Sequence, residues 1–225
     1  LAMVNYIVDP QLLIPYTPEG TELDQYNGNY FISLVGFRFL NTKIKGFSIP
    51  FHTDFEEINL RFYVKRKSED GWRRGVVFIK EIVPKTMIAL VANSLYNENY
   101  ICLKTDSEID FVDRMPRDVK YLWKLNDVWN YISMSLNSER KELKAGSEEE
   151  FIAEHYWGYS KGYRNTTEYR VEHPKWCYWD TEGIDINLDI ENLYGAKFLE
   201  TLSSKPHSAF LAEGSEVTVS HGVGI

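Results

Sequence analysis

Apolar and polar residues alternate with a period of two along much of this chain. Ile58–Lys65 shows it most cleanly: Leu60, Phe62 and Val64 fall on one side of an extended segment, Asn59, Arg61 and Tyr63 on the other. Apolar or alternating runs predict further strands at Met3–Val8, Tyr30–Leu40, Trp72–Ile82, Tyr100–Lys104, Val119–Leu125 and Val128–Leu136. Others follow at Thr167–Val171, Ile184–Leu188, Ser208–Ala212 and Glu216–Ser220. Ser68-Glu69-Asp70-Gly71 and Asn126-Asp127 read as tight hairpin turns. Helical spacing is confined to four places. Asp9-Pro10 opens a short helix through Tyr16, with an N-cap and a proline at the first helical position. Pro84–Leu95 carries Ile88, Val91, Ala92 and Leu95 on one face. Ser147-Glu148-Glu149-Glu150 is a capping box, and Asp189–Leu202 is a helix with Pro206 beyond its end. About ten short strands with a few inserted helices predict an α+β, mainly β chain built on a barrel or strongly curved sheet.

Composition narrows the function classes. The chain has 225 residues, enough to bury a large core without disulfide or metal staples. No Pro/Gly/Ser-rich linker divides it, so residues 1–225 read as a single domain. The net charge of -8 argues against a nucleic-acid face. No apolar run approaches a membrane span, and no secretory signal opens the chain. The two cysteines, Cys102 and Cys177, match no disulfide framework or zinc motif and read as reduced, buried thiols in a cytoplasmic protein. Aromatic residues reach 15%, a level that favours strands and concave sites. The six tryptophans, Trp72, Trp123, Trp129, Trp157, Trp176 and Trp179, read as barrel core.

Glu57, Asn59, Arg61 and Tyr63 share one face of an extended segment. That face is either solvated or the wet lining of a barrel. Glu57 and Arg61 stand about 13 Å apart along the strand, so each needs a partner from elsewhere or a ligand. Lys80 and Lys85 flank the strand-to-helix junction at Pro84; a desolvated lysine there could form a Schiff base, whereas the plain reading is solvent exposure. Lys80 alternates with Phe78 and Ile82. The histidines, His52, His155, His173, His207 and His221, show no metal-ligand spacing and read as structural or surface groups. There is no nucleophile elbow, P-loop or dinucleotide fingerprint, and no metal or cofactor is expected.

Several blocks resemble a known family. They include Asn5-Tyr6-Ile7-Val8-Asp9-Pro10-Gln11-Leu12-Leu13, Pro18–Leu23, Leu34-Val35-Gly36-Phe37, Phe55–Val64 and Arg74-Gly75-Val76-Val77-Phe78. Glu154-His155-Tyr156-Trp157-Gly158-Tyr159, His173-Pro174 and Ser208–Ser215 extend the match over nearly the whole chain. Together they look like the YqjF-like family of uncharacterised bacterial proteins, grouped with the acetoacetate decarboxylase-like fold. The resemblance implies a cone-shaped, mostly antiparallel β-barrel around a cavity, with a few peripheral helices. The related decarboxylases use a lysine pair for Schiff-base chemistry. The corresponding stretch here is Asn97-Glu98-Asn99-Tyr100-Ile101, with Tyr100 and Ile101 where the lysines would stand. Their cavity glutamate, shortly after an aromatic residue, matches Glu57 after Phe55. The expected function is therefore binding of a small carboxylate or keto-acid-like ligand in an internal cavity, without Schiff-base decarboxylation. Its ligand-binding residues would be Glu57, Asn59, Arg61, Tyr63 and Tyr100. The rivals are a carrier of an apolar or aromatic metabolite and a structural protein with no ligand.

Overall fold

The computed structural model describes residues 1–44, 47–48, 53–84, 99–162 and 165–225. The first strands are β1 (Ala2–Ile7), β2 (Glu22–Leu23), β3 (Phe31–Phe39), β4 (Lys43–Ile44) and β5 (Phe47–Ser48). A long hairpin follows, β6 (Phe55–Ser68) and β7 (Gly71–Val83), then β8 (Tyr100–Cys102). The middle of the chain forms β9 (Lys104–Val112), β10 (Met115–Leu125) and β11 (Val128–Glu142). The rest supplies β12 (Trp157–Lys161), β13 (Thr166–Glu172), β14 (Cys177–Asn187), β15 (Ser208–Ala212), β16 (Thr218–Val219) and β17 (Val223–Gly224). The helices are α1 (Pro10–Leu13), α2 (Glu148–Ala153), α3 (Ile190–Tyr194) and α4 (Leu199–Ser203). Among the described residues none is long and apolar enough to cross a membrane.

Fifteen strands make one sheet in the order β16-β13-β12-β7-β6-β3-β1-β15-β14-β11-β10-β9, with β2, β8 and β17 attached to β6, β7 and β13. Pairing is antiparallel except where β7 meets β12 and β8. The expected mainly β architecture is present as a single curled sheet, and among the described residues no ladder joins its two ends. Side chains bridge the curl: Thr105 and Ser107 of β9 donate to Glu56 of β6 at 3.0 and 2.9 Å.

The curl encloses one large apolar cluster. Val4 and Tyr6, Ile32 and Leu34, Ile58 to Val64 at alternate positions, Trp123, Ile132, Trp179 and Leu211 meet there. Gly36 is required at the seam, since a Cβ on it would lie 2.9 Å from the Tyr121 ring. A second cluster covers the opposite face of β1, β3, β6 and β7, where Met3, Phe31, Val35, Tyr63 and Val76 pack against Phe151 and Ile152 of α2.

Turn chemistry follows the sequence. The β6–β7 connection is a two-residue turn, and Asn126 and Asp127 both take positive φ, as a tight hairpin demands. Ser147 caps α2 by accepting from the Glu150 amide at 3.2 Å. Three expectations need correction, and one strand was not expected. The single helix expected over Asp189–Leu202 breaks at Gly195, whose φ of +93° no helix accommodates. The β9 strand has Asp106, Glu108 and Asp110 on its exposed side, and its polarity hid it. The tryptophans do not form one core: Trp123 and Trp179 lie in the larger cluster, Trp176 in the other, and Trp72 is exposed beneath Lys65. Cys102 is exposed and not a buried thiol. The helix expected beyond Pro84, with Lys85, and also His52, Asn97 and Glu98, lie outside the described residues.

Candidate functional site

The alternation of β6 decides the site. Ile58, Leu60, Phe62 and Val64 point into the curl, so Glu57, Asn59, Arg61 and Tyr63 point the other way, Arg61 and Tyr63 beneath α2 and Glu57 toward Tyr100 of β8. This face is not solvated. Glu57, Asn59 and Tyr63 are 3%, 2% and 1% exposed, and Arg61 is half-buried. Nor does it line the hollow of the curl, which Leu60 and its neighbours fill.

Glu57 is held by two donors. Asn59 Nδ2 donates to Oε1 and the Tyr100 hydroxyl to Oε2, each at 3.1 Å. Tyr100 reaches it because β8 runs parallel to β7 at this level. Burial pushes the Glu57 carboxyl up to about 7, and the bonds from Asn59 and Tyr100 and the charge of Arg61 pull the other way. Near neutral pH this group can give or take a proton.

Arg61 has a different environment. Among the described residues no carboxylate lies within ion-pairing distance of it. Its Nη2 donates to the Ile152 carbonyl at a long 3.4 Å, its Nε is buried without a partner, and its guanidinium lies 5.8 Å from the Tyr63 ring centroid. The Asn59 Oδ1 atom is also buried and unpartnered. Tyr63 contributes its ring only. Ser33 gives its single proton to Asn5 Oδ1 at 2.7 Å, so the Tyr63 hydroxyl, 2.6 Å from Ser33, must donate to it.

Among the described residues, clefts lie elsewhere. One of about 370 Å³ is lined by Tyr6, Asp185, Asn187, Leu202 and Ser204, and one of about 160 Å³ by Tyr16, Phe78, Asn99 and Lys161. Neither is lined by the five expected site residues.

A family model described as an uncharacterized conserved protein, DUF2071, matches residues 1–216. The chain belongs to that family. It is 27% identical over 191 residues to the uncharacterized protein YqjF of Bacillus subtilis (strain 168), a match covering 81% of this chain and 74% of that one. The YqjF-like resemblance is thereby established. Among solved structures, acetoacetate decarboxylase from Legionella pneumophila superposes with a TM-score of 0.64 at 14% identity, covering 100% of this chain and 83% of that one. The enduracididine biosynthesis enzyme MppR complexed with pyruvate gives 0.59 at 10% identity, covering 96% and 86%. At these identities the likeness is one of fold.

Two residues of this DUF2071 chain join the site without having been expected there. Glu81, 1% exposed, stands opposite Asn59 in the β6–β7 ladder and opposite Tyr100 in the β7–β8 ladder. A bulge between the Leu60 and Arg61 pairings shifts the β7 register by one, which turns Glu81 toward the Glu57 face. The same bulge breaks the expected alternation of Lys80 with Phe78 and Ile82: Lys80 pairs with Leu60, Phe78 packs in the cluster under α2, and Ile82 packs inside the curl. The second residue is His155, just past α2, 6% exposed, its ring centroid 4.7 Å from that of Tyr63 and tilted 35° to it. Its membership in the Glu154–Tyr159 block was the one available signal. Of the other described histidines, His173 stacks between Tyr156 and Trp176, His207 meets Glu148 at 3.0 Å, and His221 is exposed.

Proposed function

We propose that this chain binds a small carboxylate or keto-acid-like molecule beside β6, and that it does so without Schiff-base chemistry. The observation that carries the reading is Arg61, a half-buried guanidinium that faces a backbone carbonyl and a tyrosine ring where a buried arginine ordinarily has an anion. A ligand carboxylate would take the forked donors that Arg61 leaves open. Glu57, balanced near neutrality, would then hold or move a proton on the ligand, with Asn59 and Tyr100 fixing its orientation. Tyr63 would offer an apolar wall.

The fold neighbours support the class of ligand, since MppR has been described complexed with pyruvate and others are acetoacetate decarboxylases. Tyr100, which the resemblance sets where the related decarboxylases have their lysine pair, contacts Glu57 directly. Among the described residues no lysine contributes to the charge felt by Glu57. These facts favour binding or proton transfer over imine formation. The side-chain bridge from β9 to β6 supports a barrel-like enclosure, and the single sheet suits one domain over residues 1–225.

The test is a thermal-shift screen of keto, hydroxy and aromatic acids on the full chain. A ligand at 100 times its dissociation constant adds about 2.7 kcal/mol of stability. A carboxylate that stabilises the wild type and not Arg61→Met supports the reading. Stabilisation only by uncharged aromatic compounds would favour an apolar carrier, and no response to any compound would favour a structural role.

A further inference from the structure

His155 is buried beside the site, and among the described residues neither ring nitrogen has a hydrogen-bond partner. A buried imidazole in that state has given up its bonds to water and gained none. Its place relative to Arg61 is fixed by shared neighbours. Both approach the Tyr63 ring, the imidazole at 4.7 Å and the guanidinium carbon at 5.8 Å from its centroid. The Ile152 carbonyl accepts the long bond from Arg61 and also lies beside the imidazole, outside hydrogen-bonding geometry.

Other groups nearby are committed. The Tyr63 hydroxyl is used by Ser33, and Arg74 is paired with Asp24 at 2.6 Å. Glu57 already accepts from Asn59 and Tyr100. Burial and the charges of Arg74 and Arg61 hold the imidazole of His155 well below its usual range, so it is neutral, with one N–H donor and one acceptor nitrogen.

We propose that His155 is a ligand-contacting residue that hydrogen-bonds the oxygen on the second carbon of a carboxylic acid whose carboxylate is held by Arg61. The proposal rests on the reading of Arg61 given above and adds the substrate class: 2-oxo and 2-hydroxy acids, selected over plain acids. The chemistry fits both members. A 2-oxo oxygen accepts from the imidazole N–H, and a 2-hydroxyl can donate to the other nitrogen. A plain acid leaves both nitrogens as bare as they are now. The carboxylate and the second-carbon oxygen sit on adjacent carbons, so the acid would reach two protein groups that have the Ile152 carbonyl and the Tyr63 ring as common neighbours.

The test is calorimetric binding of pyruvate, lactate and propionate to the full chain. The wild type is expected to bind pyruvate and lactate about tenfold more tightly than propionate, the difference that one hydrogen bond makes. His155→Phe keeps a ring against Tyr63 and Phe151 and should lose that preference. Equal binding of the three acids by the wild type, or a preference retained in His155→Phe, overturns the role of His155 and leaves Arg61 standing. No binding of any acid by the wild type overturns the Arg61 reading and this proposal with it. If His155→Phe does not fold, ring-nitrogen NMR of the wild type decides. Saturating pyruvate must move the His155 signals and propionate must not; signals that stay in place while pyruvate binds overturn the proposal.

Discussion

Glu81 stands directly across from Asn59, and a one-residue bulge puts it there. The turn pairs Ser68 with Gly71, and that register, continued without interruption, would set Lys80 against Asn59. The bulge replaces an ammonium with a carboxylate at the point where β6, β7 and β8 meet. Glu57 and Glu81 become diagonal neighbours, at a spacing of about 7–8 Å. Burial alone accounts for the raised pKa of Glu57, against the bonds from Asn59 and Tyr100 and the charge of Arg61.

The raised Glu57 pKa has a consequence for stability. Folding moves this carboxyl from its ordinary value of 4.5 to about 7. Its contribution is therefore full below about pH 4.5 and is lost as pH rises to about 7, because the unfolded chain ionises first. Glu57→Gln keeps the shape and cannot ionise. It should match the wild type near pH 4 and exceed it at pH 8 by on the order of 3 kcal/mol, read from urea midpoints. A stability difference that stays constant across this window would remove the claim.

Arg61 should behave unlike a structural arginine. With no carboxylate paired to it among the described residues, Arg61→Met gives up one long hydrogen bond and relieves a half-buried charge. The change in stability should stay within about 1 kcal/mol. The same variant should no longer be stabilised by carboxylic acids. A loss of about 3–5 kcal/mol in urea unfolding would show instead that Arg61 holds the fold together.

Lys80 gives a chemical test of the mechanism. The bulge pairs it with Leu60, away from the Asn59 face, and partial burial lowers its pKa. Borohydride added with a keto acid should leave no adduct on Lys80, Lys85 or Lys104 when the protein is digested and weighed. A stoichiometric adduct on any of them would mean that another lysine performs imine chemistry.

Glu168 should prove far more costly to alter than a surface acid. It is 3% exposed and accepts from Arg66 at 3.0 Å, Arg73 at 2.6 Å and the Tyr159 hydroxyl at 3.0 Å. Glu168→Gln leaves Arg66 without its anion and Arg73 with only the exposed Asp70 at 3.7 Å, and should lose about 3–5 kcal/mol. Glu172→Gln, at the exposed Arg170 pair, should lose about 0–1. Equal losses in the two variants would show that the Glu168 network is no stronger than a surface pair.

Gly195 separates a backbone effect from packing. A Cβ there would touch nothing within 4 Å, yet its φ is +93°. Gly195→Ala should therefore cost about 1–3 kcal/mol through strain alone. An unchanged melting temperature would mean that the segment relaxes into one continuous helix.

The sequence determined the elements whose signals are local. The clean alternation of Ile58–Lys65, the Asn126-Asp127 turn and the Ser147 cap depend on neighbours within a few residues, and each was legible. The same alternation placed Glu57, Asn59, Arg61 and Tyr63 on one face. It could not say what covers that face, because burial is set by β8 and by α2, almost a hundred residues later in the chain. Glu81 and His155 were illegible for the same reason. A bulge costs one residue of register and leaves no compositional mark, and His155 meets Tyr63 only once α2 has packed on the sheet. Local steric preference fixes strands and turns; which side chains share a buried, poorly solvated space is decided by long-range packing.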